Sequence, residues 1–177
     1  MIRIATFLLL STVLVMPVSL WAQSSKNNKL IGDSKVAKAG FIKTDGLMQS
    51  LFDNSAGYVI FPNVGKGGIG VGGAAGNGIV FQDGKPIGSA KMKQVSVGFQ
   101  FGGQAYREVI FFENSDALNR FKQNKFEFSA QASAVAATAG ASTNVKYRDG
   151  VMVFTQQKGG LMYEASIGGQ KFNYTPF

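Results

Sequence analysis

The chain has 177 residues, with 18 Lys plus Arg against 10 Asp plus Glu, 23 Gly, and neither Cys nor His. The missing residues exclude a disulfide framework, thiol or imidazole catalysis and the usual zinc sets; a chain of this length needs no such staple, because it can bury its own core. The formal charge of +8 points to negatively charged partners, phosphate-bearing surfaces above all.

At the amino terminus Arg3 precedes the apolar run from Ala5 to Leu20, and Trp21-Ala22 follows. A cationic start, a greasy middle and a small residue at Ala22 read as a signal peptide over residues 1–22, with Pro17 breaking the helix before the cut. Ser11, Thr12, Pro17 and Ser19 interrupt the run, which falls short of the roughly 20 apolar residues a spanning helix needs. We therefore expect cleavage and a periplasmic location, where lipid rather than nucleic acid is the anionic partner. Gln23 to Lys29 (QSSKNNK) has no apolar period, so residues 23–33 are expected to form a flexible lead-in. From Ser34 the period becomes helical: Ala37, Phe41, Met48, Leu51 and Phe52 recur with Lys35, Lys38, Asp45 and Gln49 between them. This predicts an amphipathic helix ending by Asn54 to Gly57, with Gly40 and Gly46 favouring a break in its middle.

Beyond Gly57 the period shortens towards two and turn residues crowd in, as in antiparallel strands joined by tight loops. Tyr58 to Phe61 reads as a short strand stopped by Pro62-Asn63, and Ile69 to Ala74 and Ile79 to Gln82 as two more, separated by Gly76-Asn77-Gly78. Asp83-Gly84 is a hairpin signal, with Pro86 to Lys91 as the returning strand. Val95, Val97, Phe99 and Phe101 alternate with small or polar residues and are expected to fill a core. Tyr106 to Phe112 is a further strand. Asn114-Ser115-Asp116 then caps a short helix with Ala117, Leu118 and Phe121 on one face. Phe126 to Ala139 alternates and reads as a strand despite its alanines. Arg148-Asp149-Gly150 is a second hairpin turn, between Asn144 to Tyr147 and Val151 to Gln156. The last strands, Leu161 to Ile167 and Gln170 to Tyr174, are divided by Gly168-Gly169. An internal echo pairs Phe61 and Lys66-Gly67-Gly68 with Phe154 and Lys158-Gly159-Gly160.

Gly65 to Gly73 (GKGGIGVGG) contains G-x-G-x-x-G twice, but strand-like sequence follows where a dinucleotide site needs a helix, and Lys91 and Lys93 stand where an acid is required. Lys66 is followed by Gly67 rather than Ser or Thr, so the P-loop reading fails too. The glycines are expected to let strands pack closely. The acids are dispersed: Glu108 and Glu113 flank a strand, Asp83 and Asp149 sit in turns and Asp116 in a cap. No enzyme and no cofactor is expected. Cations beside apolar residues remain: Lys35, Lys38 and Lys43 with Phe41 on the first helix, and Lys66 and Lys158 in Gly-rich loops. A helix of this kind can lie in a lipid interface, its stripe in the acyl boundary and its lysines on anionic headgroups. The same periodicity fits a helix that packs its stripe on the sheet and leaves its lysines in water.

Four stretches, Gly57 to Phe81, Ser96 to Phe112, Phe126 to Ser142 and Tyr147 to Phe172 (YRDGVMVFTQQKGGLMYEASIGGQKF), resemble the SYLF domain. The resemblance implies binding of phosphoinositides or other anionic lipids, with a basic amino-terminal helix contributing in some relatives. The chain departs from that pattern at Ser34 to Phe52, which matches least, and lacks the lipidated Cys of some bacterial relatives. Phosphatidylglycerol, cardiolipin or lipopolysaccharide suit a periplasmic setting better than phosphoinositides, and actin binding is not carried over.

Together these readings predict an α+β domain over residues 34–177. It is mainly antiparallel sheet, able to close in part into a barrel, with an amino-terminal amphipathic helix and one short helix, and it engages anionic lipid or an envelope surface. The rivals are an outer-membrane barrel or an envelope structural or protein-interaction module. Counting back in twos from Phe177 gives Thr175, Asn173, Lys171 and Gly169, too polar for a lipid-facing strand.

Overall fold

The computed structural model describes residues 19–69, 71–97, 104–129, 132–158 and 164–177. Most of the expected signal peptide, together with Phe99 and Phe101, lies outside them. The fold is α+β: helices α1 (Ser19–Thr44), α2 (Met48–Asn54) and α3 (Ser115–Lys122) accompany strands β1 (Gly57–Ile69), β2 (Val71–Gln82), β3 (Lys85–Val97), β4 (Gln104–Phe112), β5 (Ser133–Ala136), β6 (Val151–Gln157), β7 (Glu164–Ser166) and β8 (Lys171–Pro176). Among the described residues no helix is long and apolar enough to cross a membrane.

The first helix starts earlier than expected. Residues 23–33 are helical rather than a flexible lead-in, because Leu30 and Ile31 find apolar partners on the sheet and Lys29 pairs with Asp33 one turn on at 2.8 Å. The expected break falls at Asp45 to Leu47, on Gly46. There Asp45 accepts from the backbone N–H of Leu47 at 3.1 Å and from the N–H and hydroxyl of Ser142 at 2.8 and 2.7 Å, which ties the helix junction to the 3-10 turn at Ala141–Asn144.

The strands form one sheet in the order β7-β5-β6-β4-β1-β2-β3-β8, antiparallel except where β5 runs parallel to β6. β1 is longer than predicted. Pro62 does not stop it but sits in a bulge, where the register slips on both sides between Ile60 and Val64, a position that tolerates a strand proline. β2 is likewise continuous through Gly76-Asn77-Gly78. A Cβ on Gly78 would lie 2.6 Å from the Ile60 carbonyl oxygen and 2.7 Å from the Phe61 ring, so glycine there permits close approach to the bulge and marks no turn. The GKGGIGVGG stretch is the tip of this hairpin, with Gly67 opposite Gly73 and Gly68 opposite Gly72. Asp83 and Gly84, at φ 51° and 72°, make the β2–β3 turn, and Asp149 and Gly150, at 52° and 78°, the turn before β6. Two further expectations are shortened. Among the described residues of Phe126 to Ala139, Ser133–Ala136 forms a strand and Glu127 an isolated bridge, and the stretch before Arg148 forms a 3-10 turn and coil with a bridge from Arg148 to Val151.

The sheet curls but is not closed. Its edge strands β7 and β8 are joined by four residues, and one bridge, Glu127 to Lys171, crosses the seam. One core lies under α1 and α2, where Ala37, Phe41, Met48 and Phe52 meet Ile60, Ile79, Phe111 and Phe154. The other fills the inside of the curl with Val59, Phe61, Val80, Ile110, Phe112 and Val153, and α3 covers it with Ala117, Leu118 and Phe121. The Asn114 side chain caps α3 by accepting from the Ala117 N–H at 3.0 Å. The echoed segments flank β4 on its two sides, yet Phe61 faces the inner core and Phe154 the helices, so they are not equivalent units.

Candidate functional site

The residues nominated from sequence divide into separate groups. Phe41 is fully buried on the sheet and cannot enter a bilayer, which corrects its assignment to lipid. Apolar burial decides this, since covering such a ring stabilises by roughly 1.5–3 kcal/mol and the sheet supplies the cover. Lys38 lies 4.7 Å from the Phe52 ring centroid and 5.4 Å from that of Tyr58, and it donates to the Tyr58 hydroxyl at 3.5 Å. It serves this aromatic contact. Lys35 and Lys43 stay exposed on the outside of α1, next to exposed Val36 and Leu47.

Lys66 is inside β1 rather than in a loop, opposite Gln104 at the start of β4, and burial pulls its amine below the ordinary lysine value. Lys158 follows β6, and its amine donates to Asn63 in the β1 bulge. Burial lowers it first, with the charges of Arg107 and Lys29 adding and Asp33 opposing. Lys158 is thus gathered with α1 and β4, apart from Lys35 and Lys43.

A further exposed cationic face is elsewhere, formed by Lys91, Lys93 and Lys171. Along β3 the phase is fixed by Ala90, Met92 and Gln94 pointing inward, so Lys91, Lys93 and Val95 point outward and are exposed. Val95 was expected in the core and is 74% exposed. The phase is set by Gln94, whose amide donates to the Ser166 and Gly168 carbonyls at 3.1 and 3.0 Å across the seam. The register stacks Ala75, Lys93 and Lys171 in one rung and Asn77, Lys91 and Asn173 in the next, with Gly73 opposite Val95 beyond. Like charges directly opposite across a ladder are destabilising, yet Lys93 faces Lys171. Glu127 offsets part of this, 3.5 Å from the Lys171 amine. The alternation Lys91-Met92-Lys93 was visible in the sequence, but its pairing with Lys171 was not.

Inside the curl, the same part of the sheet buries polar groups. Glu108 is fully buried, and its carboxylate accepts from the Gln170 amide at 3.0 Å. Its other oxygen, the Gln170 side-chain oxygen and the Tyr106 hydroxyl have no hydrogen-bond partner among the described residues. Burial pushes the Glu108 carboxyl up to about 7, against the lowering effect of the Gln170 bond, and burial with the nearby Glu108 charge pushes the Tyr106 hydroxyl up. The Gln94, Gln170 and Glu108 side chains form a strut from β3 to β4. Among the described residues no three acids converge where a metal would bind.

The family described as Las17-binding protein actin regulator (Ysc84) matches residues 93–174. That part of the chain is similar to the SYLF family. The matched segment begins on β3 at Lys93 and ends in β8, so it holds both lysines of the like-charged rung as well as Glu108, Gln170 and Lys158. α1, α2, β1 and β2 precede it, including the Gly57 to Phe81 stretch that carries part of the resemblance. Over 82 residues the chain is 28% identical to Beta cell expansion factor A of Aeromonas veronii; the alignment takes in 46% of this chain and 31% of that protein, so the chain matches less than a third of the relative's length.

Proposed function

We propose that this protein is an exported, non-enzymatic binder of anionic lipid surfaces that docks by the outer face of β2, β3 and β8. The observation that carries the reading is the rung pairing Lys93 with Lys171, extended by Lys91 and ending at exposed Val95. Two opposed ammonium groups on a sheet repel in water and are relieved by a shared anion. Each lysine near an anionic bilayer contributes about 1 kcal/mol. With the apolar stripe of α1 covered by the sheet, attachment is peripheral and charge-driven. The absence of Cys and His from the sequence supports a non-catalytic role, the leader-like residues 1–22 support a periplasmic one, and the similarity to the SYLF family over residues 93–174 supports lipid as partner.

Flotation of the purified protein with phosphatidylglycerol-containing vesicles tests this. We expect recovery with anionic but not neutral vesicles, lost as salt shortens the screening length. The triple variant K91E/K93E/K171E should lower partitioning about a hundredfold, from roughly 1 kcal/mol per lysine. Equal recovery with neutral vesicles, or an unaffected triple variant, overturns the reading.

A further inference from the structure

A cleft of about 930 Å³ opens where the curled sheet is incomplete. β5 is four residues long and pairs with β6 at Phe154 and Thr155, so among the described residues Met152 and Val153 of β6 have no ladder partner on that side. The chain leaving α3 passes the gap at residues 126–129 and turns instead to the seam. The inner core therefore reaches the outside here. The members of that core that line the cleft keep a little exposure, Phe126 at 8% and Phe128 and Val153 at 7%, as Phe172 does elsewhere at 6%, whereas Val59, Phe61, Ile110 and Phe112 are at 0%. Phe126 and Phe128 meet edge to face at 5.0 Å and form one wall.

The mouth is cationic. Arg120, Lys125, Lys146 and Arg148 line it, against two acids, Glu127 and Asp149. Glu127 is paired with Lys171, and Arg120 is occupied by the Asp149 carbonyl at 2.6 Å. Lys125, Lys146 and Arg148 are exposed and have no carboxylate partner among the described residues. A cavity of this size falls in the range of small-molecule sites, and its mixed lining suits an amphiphilic ligand, with a greasy body against the phenylalanines and a negative end at the cationic side chains.

We propose that this cleft binds a single-chain anionic amphiphile, a monomeric fatty acid, with the acyl chain along Phe126, Phe128 and Val153 and the carboxylate held by Lys146 and Arg148. The site is distinct from the lysine face of β3 and β8, which it meets at the Glu127–Lys171 pair. It would let the protein hold one lipid-derived molecule out of a bilayer.

The test is a fluorescence titration with dansyl-labelled undecanoic acid, kept below its critical micelle concentration. We expect a saturable blue shift with one probe per chain. Ala132→Phe, which fills the cleft, should abolish it. The surface variant K146E/R148E should weaken it by about tenfold or more, the effect of losing a charge-assisted contact, and it decides the matter should Ala132→Phe fail to fold. The K91E/K93E variant, which leaves the Lys171–Glu127 pair intact, should bind the probe unchanged, so that failure of surface docking and failure of the cleft are told apart. The proposal falls if no saturable binding occurs, if K146E/R148E binds as the unmodified protein does, or if the uncharged methyl ester of the probe binds equally well.

Discussion

Glu108 is the residue whose chemistry is least explained by packing alone. An isolated carboxyl buried this deeply is costly when ionised, and its carboxyl titrates near 7 against an ordinary 4.5. Between those values the folded chain keeps a proton that the unfolded chain has released, so stability falls as pH rises through this window, by about 3 kcal/mol in total. Below about pH 4.5 the contribution is fully present, and above about pH 7 it is gone. The titratable neighbour inside the curl is Tyr106, which stays neutral throughout. Replacing Glu108 with Gln keeps the shape and gives the unpartnered Gln170 oxygen a donor. Thermal melts across this range should show a falling midpoint for the unmodified protein and a flat one for Glu108→Gln; a slope that persists in the variant would assign the titration elsewhere.

At the scale of elements, glycine and proline mean something different from what composition suggests. Gly78 and Pro62 look like punctuation, yet together they build a bulge inside two long strands, because Gly78 lets the Ile60 carbonyl and the Phe61 ring approach. Gly78→Ala should therefore cost about 1–3 kcal/mol, as overpacking does, and this would appear as a lower denaturation midpoint at unchanged slope; a neutral substitution would mean that the strands can separate freely there. The turns at Asp83-Gly84 and Asp149-Gly150, the Asn114 cap and the α3 face were legible because each rests on neighbouring residues. α1 was legible as an amphipathic helix, but whether Phe41 meets lipid or sheet depends on the distant Phe154 and Ile60. The Lys93 and Lys171 rung and the cationic cleft depend on chain segments far apart in sequence, for which local period carries no information.

The whole molecule is dominated by such distant pairings. β1 pairs with β4, β4 with β6, and β3 with β8 at the far end of the chain. Loop closure precedes the gain from those ladders, so refolding is expected on the millisecond to second scale typical of non-local sheets. Stopped-flow dilution from urea should find it there, and microsecond refolding would show that the core under α1 and α2 forms without the sheet.

The outer rim of β8 has a consequence for behaviour in concentrated solution. The backbone N–H of Tyr174 is taken by the Asn124 side chain at 2.6 Å, Lys171 is bridged to Glu127, and Pro176 has no N–H to offer. Exposed strand margins recruit neighbouring copies through their unpaired amides, and here the amides in question are engaged or missing. The β8 margin is thereby closed to a second copy of the chain.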